Sequence, residues 1–348
     1  MNKKKIGIIG HFAVGKNYLD GQTIKTKILY ESLKEKKLFR SIKIVDTYNW
    51  KKNPLALMFN TIFAMLTCSN VIVLLSQNGM KVFFPSLYYL NIIFKKKIHH
   101  VVIGGNLVEL MKRNSSWEKY LNAFEGNYVE THSLQENLKV LGVNNVLVLT
   151  NFKKLPVIEE KVLFDEYNEP FKLCTFSRVM KEKGIEDAIN AVKKINNEAE
   201  RIIYTLDIYG QVDNNYVDAF NNIIKNAPDF IQYKGIVPFD KSVNVLKNYF
   251  MLLFLTYFDG EGFPGTLIDA FASGLPVIAS DWHYNREIIQ NDKTGKIVPV
   301  HDIDALIDVL KCYSENSQQV LDMKKNCIRE AYKYMPDYAL LPLLEHLI

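Results

Sequence analysis

The sequence has few cysteines and no long apolar run. Its four cysteines are scattered over 348 residues, at positions 68, 174, 312 and 327. This spacing argues against a disulfide framework and against a zinc site, and it fits a reducing compartment. The apolar run at residues 6–9 is too short for a signal-peptide core. No stretch reaches the ~18 apolar residues that a spanning helix needs. We therefore expect a cytoplasmic protein.

Charge is distributed unevenly between the two halves. Residues 1–160 carry 23 lysine and arginine side chains against 11 acidic ones, whereas residues 161–348 carry 20 against 27. A basic half suggests a face that meets an anionic partner, and nucleic acid and an anionic membrane both qualify. The basic clusters lack the interleaved aromatic residues of an RNA-binding surface, which argues against nucleic acid. A solvated basic surface is the plainer alternative.

Three lysines at 95–97 directly follow the aromatic, apolar segment FFPSLYYLNIIF. A helix of this composition that ends in lysines can lie on an anionic membrane surface. It can equally be an ordinary buried helix. Both interpretations stay open, and a peripheral position on the inner face of the plasma membrane is one expectation.

Short apolar segments alternate with helical patterns throughout the chain. Six predicted strands in the first half are KIGIIG, SIKIVD, NVIVLLS, IHHVVIG, NYVE and NVLVLT; six in the second are FKLCTFS, IIYTLDIYG, FIQYKG, FMLLFLT, LPVIAS and GKIVPV. Helical patterns lie between them, such as those at 22–37 and 183–195. This alternation predicts an α/β chain with two doubly wound parallel sheets facing a cleft, and ligands at the carboxyl ends of the strands.

The stretch at 151–170 holds two prolines and several acidic residues, and it is the predicted linker. We place a first Rossmann-like domain, expected to bind the acceptor, at 1–160. A second, expected to bind a nucleotide-sugar, spans 161–330. Residues 331–348 are expected to form a helix that packs back on the first domain.

The segment Gly10–Lys16 nearly matches the phosphate-binding P-loop pattern. Asn17 replaces the Ser or Thr that would hold magnesium, and the following residues resemble a loop, so we reject a working P-loop. The later loop Asp20-Gly21-Gln22-Thr23 is a better anion site, because Gly21 permits close approach and a helix follows. Helix N-termini present free N–H groups and partial positive charge to phosphate.

The segment DGEGFPGTLIDAFASGLPVIASD, at 259–281, combines a strand end, a Gly- and Pro-rich loop and a helix. Free amides at Gly265 and Thr266 could hold an anionic or hydroxylated ligand. Glu261 in the loop and Asp269 in the helix supply acidic acceptors for sugar hydroxyls. This arrangement is typical of a site for a polyhydroxyl ligand.

A second segment, SRVMKEKG at 177–184, follows the strand FKLCTFS. It places Arg178 at the end of a strand and Lys183 at the start of the next helical pattern. An arginine can contact two phosphate oxygens at once, and a lysine supplies a point charge. Taken alone, this segment could also be an exposed turn with solvated cations.

Together the two segments resemble the retaining glycosyltransferases of family 4, which have the two-domain GT-B fold. The Arg-x4-Lys-Gly turn, IYG at 208–210, YKGIVP at 233–238, the Glu-x7-acid loop and GLPVIAS at 274–280 recur in order. The resemblance covers most of residues 170–300 and is looser in the first half. The run GEGFPGTLIDAFASGLPVIASDW is similar to the subgroup of bacterial capsule and exopolysaccharide assembly.

The resemblance implies a role for each matching residue. Arg178 and Lys183 would bind the donor diphosphate, and Glu261 would contact a hydroxyl of the donor sugar. Backbone groups of Phe263, Gly265 and Thr266 would line the site of the sugar and phosphate, and the Asp269 carboxylate would bind the ribose hydroxyls. The backbone around Gly235 and Ile236 would face the nucleobase. Gly21 would approach the diphosphate from the other domain.

Two positions depart from the family pattern. Position 269 is Asp where Glu is usual, so the carboxylate has a shorter reach. Where many members carry a His after an N-terminal strand, this chain has Gly104, Gly105 and Asn106. His99 and His100 lie earlier and could be simple strand residues. We assign no catalytic histidine.

The resemblance also implies the activity. We expect metal-independent transfer, with retention, from a UDP-sugar to a saccharide, such as a lipid-linked oligosaccharide, in surface polysaccharide synthesis. No convincing DxD-like pair is present, and no cofactor is expected. The alternatives are a nucleotide-sugar epimerase or hydrolase of the same fold, and a non-catalytic sugar- or nucleic-acid-binding protein.

Overall fold

The computed structural model describes residues 3–16, 20–163 and 166–348. Asn17, on which the rejection of the P-loop rests, lies outside the described residues. The chain divides into two compact units. Unit 1 comprises Met1–Lys154 and Tyr334–Ile348, and unit 2 comprises Leu155–Lys333. The units therefore change at 154 and 333, where the sequence predicted boundaries at 160 and 330.

Unit 1 contains a six-stranded parallel sheet in the order β2-β1-β3-β4-β5-β6. Its strands are β1 (Lys5–Gly10), β2 (Ser41–Asp46), β3 (Asn70–Leu74), β4 (Lys97–Val101), β5 (Gly126–Val129) and β6 (Val146–Val148). Its helices up to residue 140 are α1 (Gly21–Glu35), α2 (Pro54–Thr67), α3 (Gln77–Phe94), α4 (Leu107–Arg113), α5 (Ser116–Asn122) and α6 (His132–Val140).

Unit 2 repeats this architecture with a parallel sheet in the order β12-β11-β10-β7-β8-β9. Its strands are β7 (Phe171–Phe176), β8 (Tyr204–Tyr209), β9 (Ile231–Gly235), β10 (Met251–Phe254), β11 (Val277–Ser280) and β12 (Gly295–Val298). Its helices are α7 (Ile185–Glu198), α8 (Val217–Lys225), α9 (Ser242–Leu246), α10 (Gly265–Ala272), α11 (Asn285–Ile288), α12 (Ile303–Glu315) and α13 (Ser317–Ala331).

The C-terminal segment returns to unit 1. It contains α14 (Pro336–Ala339) and α15 (Leu341–Leu347). Leu340, Leu343 and Leu347 are buried in the same cluster as Ile6 of β1 and Leu29 of α1. Burial of these leucines removes apolar surface from water and anchors the C-terminus to the first sheet.

All twelve predicted strands are present, because each apolar segment is buried by helices on the faces of a parallel sheet. The pattern at 183–195 differs at its start. Lys183 ends a 3₁₀ turn, Lys181–Lys183, and α7 begins only at Ile185. Gly184 interrupts the two with a left-handed backbone, φ +67°, which an α-helix cannot contain.

Within the part of the chain that the structure describes, none of the helices combines the length and apolar composition that crossing a bilayer requires.

His99 and His100 are buried in β4, and burial lowers the pKa of each imidazole to about 4. His99 has Asn70 and Tyr128 as hydrogen-bond partners, at 3.0 and 3.1 Å.

Lys324 of α13 is fully buried in unit 2. Its Nζ donates to the carbonyl oxygens of Tyr249, at 2.7 Å, and Gly274, at 3.4 Å. Burial disfavours the charged form and lowers the pKa of the Lys324 ammonium from 10.5 to about 7. Above pH 7 the folded state therefore binds fewer protons than the unfolded state.

This difference predicts that the free energy of unfolding rises with pH above about 7, by at most about 1.4 kcal/mol per pH unit from Lys324. The stability that Lys324 gains with rising pH is complete once the pH exceeds the pKa of lysine in the unfolded chain, and it is lost as the pH falls toward 7. Lys324→Met should remove this slope, because the variant has no proton to gain. Urea unfolding at several pH values between 7 and 9 measures the slope.

Lys325→Met is the matched control, because Lys325 is a neighbour whose side chain is 43% exposed and pairs with Asp322 at 3.7 Å. It should keep the wild-type slope. Equal slopes in wild type and Lys324→Met would show that Lys324 stays protonated in the fold.

Gly184 and Gly210 allow loops of unit 2 to touch each other through the backbone. A Cβ at Gly184 would overlap the carbonyl oxygen of Leu255, and one at Gly210 would overlap that of Ser177. The loop after β7 is thereby packed against the chain that follows β10 on one side and β8 on the other.

Gly184→Ala should lower the free energy of unfolding by more than Gly235→Ala does. Both glycines have positive φ, +67° and +79°, but a Cβ at Gly235 meets nothing within 4 Å. The left-handed conformation alone costs about 1–2 kcal/mol in an L-residue, and overlap with a fixed carbonyl adds about 1–3 kcal/mol. Urea titration of both variants gives the comparison; equal losses would contradict this packing.

Candidate functional site

The candidate site lies where β7 and β10 run side by side in unit 2. From β7 the chain proceeds to β8 and β9 on one side, and from β10 to β11 and β12 on the other. This reversal leaves a crevice at the carboxyl ends of the two central strands, the place where open α/β sheets bind ligands. The loop 177–184 follows β7 and the loop 255–264 follows β10.

An ion pair between Lys183 and Glu261 joins these two loops. Lys183 Nζ contacts Glu261 Oε2, and the side chains are only 11% and 14% exposed. Glu261 Oε2 also accepts a hydrogen bond from Thr256 Oγ1 at 3.0 Å. A cation and a carboxylate are thus held together and mostly shielded from water.

Aromatic rings and backbone contacts fix the cation in place. Lys183 Nζ lies 5.2 Å from the ring centroid of Phe258 and 5.6 Å from that of Phe254, a favourable arrangement for a cation. The amide of Tyr257 donates to the carbonyl of Glu182 at 2.8 Å. The two loops therefore behave as one unit around Lys183.

Polar side chains beyond the predicted set support the loop after β10. The Ser280 hydroxyl at the end of β11 donates to the Thr256 carbonyl. Trp282 Nε1 donates to the Phe258 carbonyl at 3.0 Å. Sequence reasoning did not name Thr256, Ser280 or Trp282, although each follows or ends an apolar strand. The position of a polar residue at a strand end was the available signal.

Arg178 pairs with an acidic side chain from the loop after β8. Its Nη1 lies 3.5 Å from Asp213 Oδ2, and its side chain is 58% exposed. Asp213 lies in the loop after β8. The structure therefore brings Lys183 and Glu261 together, and it gives the exposed Arg178 a separate, half-buried ion partner.

The N-terminus of α10 lies beside this pair in the chain. Pro264 is its N-cap residue and provides no side-chain cap. Thr266 Oγ1 donates to the carbonyl of Phe176, the last residue of β7, at 2.8 Å, and Phe263 is buried. The first amides of α10, at Gly265 and Thr266, are thus anchored at the carboxyl end of β7, where helix N–H groups favour anions.

The residues expected at the nucleoside differ in exposure. Asp269 is 2% exposed, and its Oδ1 accepts a hydrogen bond from Ser242 Oγ at 2.8 Å. Ser242, the first residue of α9, is a partner that sequence reasoning missed. Gly235 ends β9, and a Cβ built on it would meet nothing within 4 Å; Ile236 beside it is exposed.

Gly21 belongs to unit 1, where it is the first residue of α1. Asp20 caps this helix: Oδ1 accepts from Thr23 N at 3.0 Å and Oδ2 from Thr23 Oγ1 at 2.6 Å. A phosphate at this terminus would meet the like charge of Asp20, which weakens the anion site predicted from this loop. Any contact of Gly21 with a diphosphate stays a prediction.

Over residues 3–16, 20–163 and 166–348, no group of three or more His, Cys, Asp and Glu side chains is arranged to hold a metal ion.

Residues 158–334 match the family model described as Glycosyl transferases group 1. Among curated relatives, the GtfA subunit of the UDP-N-acetylglucosamine–peptide N-acetylglucosaminyltransferase of Streptococcus pneumoniae is 31% identical over 169 residues, which are 48% of this chain and 32% of the relative. The amylovoran biosynthesis glycosyltransferase AmsK of Erwinia amylovora is 28% identical over 163 residues, 46% of this chain and 40% of the relative.

These alignments span well under half of each relative's length. A likeness in structure extends further. HepE of Anabaena, solved in complex with UDP-glucose, superposes with a TM-score of 0.70 at 11% identity and covers 99% of both chains. The predicted GT-B fold, two Rossmann-like domains with parallel sheets, is confirmed.

The matched region contains the strand edge, the Lys183–Glu261 pair and α10. It covers half of the chain, and its description agrees with the resemblance to family 4. The similarity to AmsK agrees with the resemblance to the exopolysaccharide subgroup. The chain therefore belongs to the Glycosyl transferases group 1 family.

Proposed function

We propose that this chain transfers a sugar from a UDP-sugar to a saccharide acceptor during the synthesis of a surface polysaccharide. The Lys183–Glu261 pair at the carboxyl ends of β7 and β10 carries the proposal. The names of the relatives support the substrates: GtfA is named for UDP-N-acetylglucosamine, AmsK for amylovoran biosynthesis, and HepE was solved with UDP-glucose.

Rupture of the bond between sugar and phosphate builds negative charge on the leaving diphosphate and positive charge on the sugar. Fixed cations at the leaving group stabilise this transition state more than the ground state. Lys183 is already positioned by Glu261 and by two aromatic rings, so it needs little reorganisation. Arg178, exposed and paired with Asp213, would turn onto the phosphate oxygens.

The carboxylate of Glu261 serves the sugar end of the donor. It holds Lys183 now, and it has two oxygens with which to accept from a sugar hydroxyl as well. The amides of Gly265 and Thr266 would receive a phosphate oxygen or a sugar hydroxyl, and the buried Phe263 would line the same site. A sugar bound between Glu261 and α10 thus has its diphosphate beside Lys183.

The remaining assignments concern the nucleoside. Gly235 and Ile236 offer backbone and an open surface to the base. Asp269 would hold the ribose, provided that ribose hydroxyls compete with Ser242 for its carboxylate. Because Ser242 already occupies this buried carboxylate, the ribose contact requires a larger rearrangement than the other proposed contacts.

We infer retention of configuration and no requirement for metal. With the diphosphate charge met by Lys183 and Arg178, a divalent cation is not needed to neutralise the leaving group. The acceptor hydroxyl attacks from the face that the diphosphate leaves, and a donor phosphate oxygen takes its proton. We take the acceptor to be a saccharide carried on a lipid, in keeping with the basic first half of the chain.

Lys183→Met and Arg178→Ala should each lower kcat by about 100-fold or more, because each removes a cation from the leaving group. Lys181→Ala is the matched control, since Lys181 is an exposed lysine of the same 3₁₀ turn; it should keep the wild-type rate. A thermal-shift screen of nucleotide sugars first identifies the donor. UDP release with and without saccharide acceptor then measures the rate.

Unchanged rates in either variant, with melting temperatures equal to wild type, would contradict the assignment. UDP release that is as fast without acceptor as with it indicates a hydrolase. Interconversion of the donor sugar without an acceptor indicates an epimerase.

Metal removal gives a separate test. Transfer should proceed at an unchanged rate after dialysis against EDTA, and addition of Mg²⁺ or Mn²⁺ should not raise it, because protein cations meet the diphosphate charge. Loss of activity on chelation, with recovery on adding metal, would show that Lys183 and Arg178 do not suffice.

A further inference from the structure

Two helices of unit 1 turn apolar faces to solvent. On α2, Thr61, Ala64 and Met65 are buried, and the opposite stripe, Leu55, Met58, Phe59, Phe63 and Leu66, is exposed. The stripe recurs every three or four residues, so it forms one continuous face. Phe59 is 67% and Leu55 73% exposed. These side chains form a contiguous apolar patch, which single apolar residues scattered over a protein surface do not.

The neighbouring helix α3 continues this surface. Val82, Tyr89, Ile92 and Ile93 are exposed on it, whereas Phe83, Phe84 and Leu87 are buried. α2 and α3 contact each other. We refer to these nine exposed side chains of α2 and α3 as the α2–α3 surface.

The stretch of sequence that forms the α2–α3 surface carries charge of one sign. No aspartate or glutamate occurs from residue 47 to residue 108, a stretch that contains six lysines. Lys51 and Lys52 directly precede α2, and Lys95 caps the end of α3. Lys43 of β2 places its Nζ 3.3 Å from the ring centroid of Phe63. Lysines thus stand at the start of α2, at the end of α3 and on one exposed ring.

We propose that the α2–α3 surface docks unit 1 on an anionic lipid bilayer. Apolar side chains with flanking lysines are what a helix lying in the plane of the interface requires, with the rings among the acyl chains and the ammonium groups at anionic headgroups. The docking itself does not depend on the proposed function. Only its purpose, which is to bring the enzyme to an acceptor carried on a lipid, rests on that function.

Charge complementarity favours a bilayer over a second copy of the chain. Two copies that met through this surface would bring lysines against lysines, with no acidic residue in the same stretch to pair with them. An anionic bilayer instead supplies a negative charge for each lysine and an apolar layer for each exposed ring.

The test is sedimentation of the full chain with vesicles, measured without any nucleotide-sugar. Vesicles of equimolar phosphatidylglycerol and phosphatidylcholine should bind the protein, and binding should fall with added salt. Pure phosphatidylcholine should bind it more weakly. Because no sugar is present, failure of the glycosyltransferase assignment would leave this result unaffected.

Substitutions separate the apolar from the electrostatic contribution. Phe59→Ser combined with Ile93→Ser should weaken binding by about a hundredfold, since each buried apolar side chain contributes about tenfold. Lys51→Gln, Lys52→Gln and Lys95→Gln should cost about fivefold each on anionic vesicles. Both sets should keep the wild-type melting temperature, because these side chains are exposed.

Val140→Ser and Lys139→Gln on α6 are the matched controls, an exposed apolar side chain and a lysine of the same unit. They should bind vesicles as wild type does. The proposal is overturned if anionic vesicles do not bind, or if the Phe59 and Ile93 double variant binds unchanged. It is also overturned if that variant turns a dimer into a monomer in light scattering, or if soluble polyglutamate binds where vesicles do not.

Discussion

The donor site depends on the pairing of β7 with β10. Leu173 and Cys174 lie in register with Met251 and Leu252, so the loops after these strands open at the same edge of the sheet. Lys183 and Glu261, 78 positions apart in sequence, can meet only because of that register. Gly184 must lack a side chain for the same reason, since the chain after β10 passes against its Cα. The ion pair is thus a consequence of sheet topology.

Much of this topology could be predicted from the sequence, because parallel strands buried on both faces are short, apolar and rich in Val and Ile. NVIVLLS and LPVIAS have no other stable place than a sheet interior. The start of α7 could not be predicted as well, because helical periodicity continues through Gly184. Only its backbone conformation separates the 3₁₀ turn of Lys183 from the helix.

The partners of the site residues could not be predicted, since they come from other strands. Nothing in the local sequence links Asp269 to Ser242, or Arg178 to Asp213. These contacts matter, because a buried carboxylate with a partner is a poorer ligand than a free one. The orientation of α2 was equally hidden: an apolar run at 55–66 fits a buried helix, and only packing against β1 and β2 shows which stripe remains outside.

Unit 1 and unit 2 therefore concentrate different physical features. At the candidate site of unit 2 the central cation, Lys183, is shielded and held by a carboxylate, which suits a group that must act on charge formed during a reaction. In unit 1 the lysines around α2 and α3 are numerous, mostly exposed and mixed with apolar side chains, which suits an extended surface with little geometric order. The composition of the first half shows an excess of positive charge but does not indicate which anionic partner it meets. The position of the lysines beside an apolar face favours an anionic bilayer.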